Sequence, residues 1–226
     1  MSATAGEVVA AAAAQPTAVA VKEGMWGSGP GDVSGYGGLR RPLLRHQRST
    51  RPYGGYFDAV AGRLRALVPA LPEDFVAVDR GQMIAYIPRD LLLDVVRATR
   101  DDALLRFEIC TSVTGVHYPD EPGAEFHVVY ELLSITHNRR LRLEVTAPDG
   151  DAKIPSITAT YPMANWHERE TWDMFGVEFP GHPALTRILM PDDWIGHPQR
   201  KDYPLGGVPV EFKGAEVPPP DERRSY

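Results

Sequence analysis

The sequence predicts an α+β fold: a largely antiparallel sheet with flanking helices, followed by a short signature helix and an irregular C-terminal extension. Three observations carry this. Residues 104–116, 125–136 and 140–147 show the two-residue alternation of half-buried strands, and only a tight His137-Asn138-Arg139 connection separates the last two. Helix-spaced apolar residues occur between strands but not as regular crossovers, giving the order α-β-β-α-β-β-β. Beyond residue 187, Pro191, Gly196, Pro198 and Pro204 forbid any long helix or strand.

Taken in order, residues 1–55 read as a flexible or extended N-terminal arm, Ala/Val-rich at its start and glycine-rich over 24–38. Gly27-Ser28-Gly29-Pro30-Gly31 resembles a phosphate loop only superficially. No apolar strand precedes it, and Pro30 falls where the helix should begin. Arg40, Arg41, Arg45, Arg48 and Arg51 form a local basic cluster, read as solvated or partner-facing. Residues 8–14 lack the basic flank of a signal peptide. The α+β domain spans 56–163. Phe57, Val60, Ala61, Leu64, Leu67 and Val68 recur at helical spacing until Pro69 and Pro72 end the pattern. Strands follow at 75–78 and 83–87 around the turn Asp79-Arg80-Gly81-Gln82. Pro88 opens a second helix with Leu91, Leu92, Val95, Val96 and Ala98 inward. In the long strands Phe107, Ile109, Val128, Tyr130, Leu132, Leu141, Leu143 and Val145 are the expected inward set. Residues 164–205 hold the signature helix and an irregular, partner-binding ribbon, and 206–226 form an extended tail containing Pro218-Pro219-Pro220.

Composition narrows the function classes. Apolar residues at 43% suffice for a core, and a net charge of −6 runs against nucleic-acid binding. The single cysteine, Cys110, cannot by itself build a disulfide, zinc or iron–sulfur site and reads as a small buried hydrophobe. No run approaches the roughly 20 apolar residues that span a bilayer, so any membrane association runs through other chains.

The densest information lies in 165–205. Asn165 is placed to cap a helix, with Glu168 three residues on as in a capping box, and Gly176 is a natural stop. On that helix Glu168, Thr171, Trp172 and Phe175 share one side, with Trp172 and Phe175 expected to bury. Arg169, Glu170 and Asp173 crowd the adjacent side. A carboxylate pair there needs cations if it is buried. The ribbon supplies Arg187, Arg200 and Lys201 beside Asp202, so Glu170 and Asp173 are expected to pair with Arg187 or Arg200 and pin the ribbon to the helix. Trp166, Trp172, Trp194, Phe175 and Phe179 read as core or interface anchors.

Other chemistry is weaker. Glu168, Glu170, Asp173 and His167 offer the makings of an acid and a base, and a stand-alone hydrolase using Glu170 and Asp173 is the rival. Those two are helix neighbours rather than groups facing across a cleft. His167, His182 and His197 lack the spacing of a helical zinc site. Ser134 and Ser156 lack a nucleophile elbow.

Glu168-Arg169-Glu170-Thr171-Trp172-Asp173-Met174-Phe175-Gly176 resembles the signature helix of the 30 kDa (C-type) subunit family of NADH:quinone oxidoreductase, respiratory complex I. Arg187-Ile188-Leu189, Asp193-Trp194, Gly196-His197-Pro198 and Arg200-Lys201-Asp202-Tyr203-Pro204-Leu205 follow in the family's order and approximate spacing. The resemblance implies a structural, non-catalytic subunit in the peripheral, quinone-side arm of a proton-translocating complex, on the cytoplasmic face of the membrane. It implies no cofactor in this chain, with FMN and Fe-S clusters in partner subunits. The expected partners are the large quinone-site (D-type) subunit and neighbouring Fe-S subunits. The alternative is the equivalent subunit of a related membrane-bound hydrogenase or another donor:quinone oxidoreductase.

Overall fold

The computed structural model describes residues 17–23, 39–45, 47–203, 210–212 and 215–217. Thr17–Glu23 (β1) pairs antiparallel with Arg40–Arg45 (β2), so part of the expected arm is a two-stranded ribbon. The glycine loop at 27–31 lies outside the described residues. Helix α1 (Phe57–Leu67) buries Phe57, Val60, Ala61 and Leu64 of the expected set, while Leu67 at its last turn is exposed and Val68 is buried just past its end. Strands β3 (Val76–Asp79) and β4 (Gln82–Tyr86) form a hairpin in which Asp79 faces Gln82. Both central turn residues, Arg80 at φ 47° and Gly81 at φ 75°, are left-handed. That geometry matches the right-handed twist of the strands it joins.

Helix α2 (Leu92–Asp101) follows a 3-10 turn at Arg89–Leu91. It buries Leu92, Val95, Val96 and Thr99. Leu91 and Ala98, expected inward, are only half-buried, because the helix starts one residue later than Leu91 and its face turns to include Thr99. The three long strands are β5 (Ile109–His117), β6 (Phe126–Ser134) and β7 (Arg139–Ala147). The five strands run in the order β3-β4-β7-β6-β5. All neighbours are antiparallel except β4 and β7, where Ile84 aligns with Arg142 in parallel. α2 and the β5–β6 pair intervene between those two strands, which removes the hairpin constraint.

The core lies on one face of this sheet. The register places Val76, Ala85, Leu143, Tyr130 and Val113 in one row across all five strands, every one buried. Each large side chain so buried contributes about 1.5–3 kcal/mol. The expected strand over 104–116 is corrected at its start. Residues 104–108 are irregular, Arg106 sits at φ 40°, and the Phe107 amide donates to Thr99 O on α2 at 2.9 Å. Ile109 is accordingly 37% exposed rather than inward, and a register shift between Cys110 and Ser112 turns both Cys110 and Val113 to the core. In the tail, Val210–Phe212 (β8) pairs with Ala215–Val217 (β9), while Pro218-Pro219-Pro220 lies outside the described residues.

Candidate functional site

Helix α3 (Ala164–Phe175) lies across β5. Its contact is set by a glycine: a β-carbon on Gly115 would stand 2.7 Å from Phe175 Cδ2 and 2.8 Å from Thr171 Cγ2. The helix can reach the strand only because that atom is missing. Thr171 is buried in this contact, Met174 is buried elsewhere on the helix, and Trp172 and Phe175, expected to bury, are half-covered. The sequence carried a signal for this, an isolated glycine inside a strand pattern, that the face assignment did not use.

The expected capping box does not form. The helix begins one residue earlier, with Met163 at the cap and no side-chain cap bond, which puts Asn165 inside the first turn. Glu168 turns inward instead and is fully buried. The Ser156 hydroxyl donates to its Oε2 at 2.6 Å and the Ile157 amide to its Oε1 at 2.8 Å. Burial pushes the Glu168 carboxyl up to about 7, against the opposing pull of those two donors. The neighbouring Cys110 thiol is pushed up to about 12 by burial, and the buried Tyr130 hydroxyl finds no partner among the described residues.

The other end of α3 holds the ribbon. Gly176, at φ 82°, closes the helix through its amide to Trp172 O at 2.8 Å. A β-carbon there would meet His197 Cδ2 at 2.7 Å, so the glycine also makes room for the ribbon. His197 Nδ1 donates to Asp173 O at 3.0 Å, and the Gln199 amide donates to Met174 O at 3.0 Å. Two carbonyls at the helix end, which lack partners within the helix, are thereby satisfied.

Asp173 is the centre of the arrangement. Its side chain is fully buried, and its Oδ2 accepts the amides of Ile188, Leu189 and Met190 at 3.1, 2.8 and 2.9 Å. Its Oδ1 accepts Arg187 Nη1 at 2.5 Å. Arg187 Nη2 continues to the carbonyls of Trp194 at 2.8 Å and Gly196 at 3.2 Å, and the guanidinium lies 5.6 Å from the Trp172 ring centre. Burial alone would raise the Asp173 carboxyl. The three amides and the guanidinium outweigh it and hold the group below the usual range. Arg169 adds bonds from Nε to Thr186 O at 3.1 Å and from Nη2 to Arg187 O at 2.9 Å while lying over Trp166.

A second anchor fixes the ribbon's far end. Arg200 bonds Asp202 and, at 2.9 Å, Asp149, with its guanidinium 5.0 Å from the Phe126 ring centre. The Lys201 amide donates to Nδ1 of the buried His117 at 3.1 Å. That nitrogen must be unprotonated to accept, and burial lowers the His117 pKa accordingly.

The expected pinning is thus made by Asp173 and Arg187. Arg200 does not join it: the ribbon carries Arg200 past the helix to the end of the sheet, where Asp149 is closer. Glu170 is exposed and has no hydrogen bond or ion pair among the described residues. Trp194 is half-buried, with its Nε1 buried and lacking an acceptor among the described residues. His182 donates from Nε2 to Asn165 O and accepts the Ala184 amide at Nδ1, so both ring nitrogens are engaged in a turn. Sequence reasoning missed Gly115, Ser156, His117 and Asp149, each far from the segment it serves.

Residues 85–209 match the family described as respiratory-chain NADH dehydrogenase, 30 Kd subunit. The chain belongs to that family. The matched region runs from β4 through α3 and both ribbon anchors. The 30 kDa family relatives include the C-type subunit of NADH-quinone oxidoreductase from Mycolicibacterium gilvum, 57% identical over 216 residues, covering 93% of this chain and 96% of that one. The C-type subunit from Mycobacterium tuberculosis (strain H37Rv) is 59% identical over 220 residues, 93% of each chain. The fold recurs in the structure of the membrane-bound sulfane sulfur reductase, an archaeal respiratory membrane complex, with a TM-score of 0.56 and 23% identity over 66% of this chain and 85% of that one.

Proposed function

We propose that this chain is a structural subunit of the peripheral, quinone-side arm of a proton-translocating NADH:quinone oxidoreductase, where it supports electron transfer carried by FMN and Fe-S centres in other subunits. The observation that carries the proposal is that the family match takes in α3 and the whole doubly anchored ribbon. Relatives named as C-type subunits of NADH-quinone oxidoreductase, at 57% and 59% identity, favour this assembly over a hydrogenase-type or other donor:quinone complex. A structural rather than catalytic role is supported by how the carboxylates of α3 are used. Asp173 is saturated by three amides and a guanidinium, Glu168 is enclosed with two donors, and Glu170 stands alone in solvent. No pair of them faces across a cleft as acid and base would.

The anchored ribbon and the start of α3 present apolar groups outward: Ile195 is 88% exposed, Trp166 63% and Leu189 59%. Such side chains on a fixed backbone suit burial by another chain. We assign this face to the large quinone-site subunit and its Fe-S neighbours, on the cytoplasmic side. No helix among the described residues is long and apolar enough to cross a membrane, so attachment would run through those partners. Affinity purification of the tagged chain from native membranes tests the reading: flavin- and Fe-S-bearing subunits with NADH:quinone activity should accompany it. Recovery of the chain alone, with hydrolytic turnover of its own, would overturn it. A Trp166→Ala variant should fold normally and co-purify in lower yield.

A further inference from the structure

The end of the sheet opposite the second ribbon anchor carries a feature that the assembly role above does not use. The β3–β4 and β6–β7 turns meet there around a cleft of about 720 Å³. Its apolar lining comes from Tyr56, Met83 and Leu133, and its charged lining from Arg80, Arg140, Arg142 and Glu131. Only one of these guanidiniums is held by a lining carboxylate: Arg142 Nε bonds Glu131 Oε1 at 2.6 Å. Arg80 is 93% exposed and 3.8 Å from Asp79, on a left-handed backbone that projects it at the turn tip. The Arg140 side chain has no carboxylate partner among the described residues, while its backbone is fixed by the Tyr56 hydroxyl, which accepts from its amide at 3.1 Å and donates to its carbonyl at 2.8 Å. At the same end of the sheet, Ile135 is 66% exposed and Leu104 60%.

On a chain whose net charge is −6, this is a concave, locally cationic surface with a few apolar side chains in a mixed lining and exposed aliphatic groups at the same end of the sheet. We infer that the cleft is a second docking site, taking an acidic segment of a neighbouring polypeptide whose carboxylates pair with Arg80 and Arg140 while an apolar side chain rests on Leu133 and Tyr56. A free phosphate fits less well. Small-anion sites bring several donors to one point, whereas these two guanidiniums stand on separate elements, Arg80 on the β3–β4 turn and Arg140 at the start of β7. Arginine beside exposed aliphatic groups is the composition of a protein-binding surface. The β6–β7 turn lies at one end of the long strands, and His117 and Asp149, which hold the ribbon, lie at the other. The two faces can therefore be occupied together, and the subunit would bridge two neighbours.

This inference rests on the assembly reading, and the test separates the two. A photo-crosslinking residue is placed at Gln82, which lines the cleft, and the intact complex is purified from membranes, irradiated and mapped by peptide mass spectrometry. The expected product joins position 82 to an Asp/Glu-rich segment of another subunit. Its yield should fall at least tenfold with R80E/R140E and persist with R80K/R140K, which keeps both charges. The complex held by the ribbon face should still purify with the charge-reversed variant. A chain that purifies with its partners but crosslinks at position 82 only to itself, to lipid, or to a segment without acidic residues overturns the cleft assignment alone. A chain that purifies with no partner overturns the assembly reading and the cleft assignment with it.

Discussion

Two carboxylates of one short helix, Glu168 and Asp173, are equally removed from solvent and behave oppositely. Glu168 has one hydroxyl and one amide, and its affinity for a proton rises. Asp173 has three amides and a guanidinium, and its affinity for a proton falls. Both are closed to solvent, Glu168 the more deeply, so the depth of burial together with the number and charge of the donors sets the sign. The difference divides the helix by task. The Glu168 side faces the Ser156–Ile157 segment within the domain, and the Asp173 side holds an irregular chain that has no ladder of its own.

The largest test of that division removes the better-satisfied partner. Asp173→Ala leaves Arg187 and three amides without their acceptor, and it should cost about 3–5 kcal/mol, the range for breaking a buried ion pair. Urea unfolding of the isolated chain would measure this, and a loss under 1 kcal/mol would mean the ribbon is held elsewhere. The second test uses pH. Glu168 binds its proton more tightly folded than unfolded, so its contribution is fullest below about 4.5 and is lost as pH rises toward 7. The shift from 4.5 to about 7 corresponds to about 3 kcal/mol. His117 has the opposite slope: its folded pKa is lowered, so its anchor weakens as pH falls below 6.5. Glu168→Gln should therefore remove the loss on the alkaline side and leave the acid-side loss intact. An unchanged stability–pH profile would break the comparison.

Gly115→Ala comes next. The added methyl overlaps Thr171 and Phe175 and should cost about 1–3 kcal/mol. Because Asp173 faces away from this contact, the loss should add to that of Asp173→Ala within about 0.5 kcal/mol in a double-mutant cycle. The smallest effect is expected for Arg200→Met. Its carboxylate partners Asp149 and Asp202 are each about half exposed, which limits the loss to about 1 kcal/mol. A larger loss would show that the second anchor rivals the first.

The strands were legible where the alternation was strict. In β7, and in β6 from Val128 onward, the odd–even pattern survives and the inward set is the expected one, while at the start of β6 His127 is buried beside Phe126 and Val128. It failed at Ile109, where Arg106 and the shift after Cys110 break the alternation that still holds for Phe107. At the site, Gly176 and the Asp173–Arg187 pair follow from local chemistry: a helix stop, and a buried acid near a cation. Glu168 was misassigned for an equally physical reason. A capping box is a local bond, and a buried Ser156 supplied by another segment overrode it. Asp149 as the partner of Arg200 could not be read from spacing, since only the fold brings the end of β7 beside the ribbon.

Because three successive peptide groups converge on one oxygen of Asp173, the ribbon is recognised by its main chain, not by what hangs from it. This contact therefore leaves the side chains of Ile188 and Met190 free to exchange for other residues, and constrains Leu189 only through the apolar face it turns toward a partner, with one exception. Proline at any of the three deletes a donor, and lengthening the loop by a single residue would move all three out of reach.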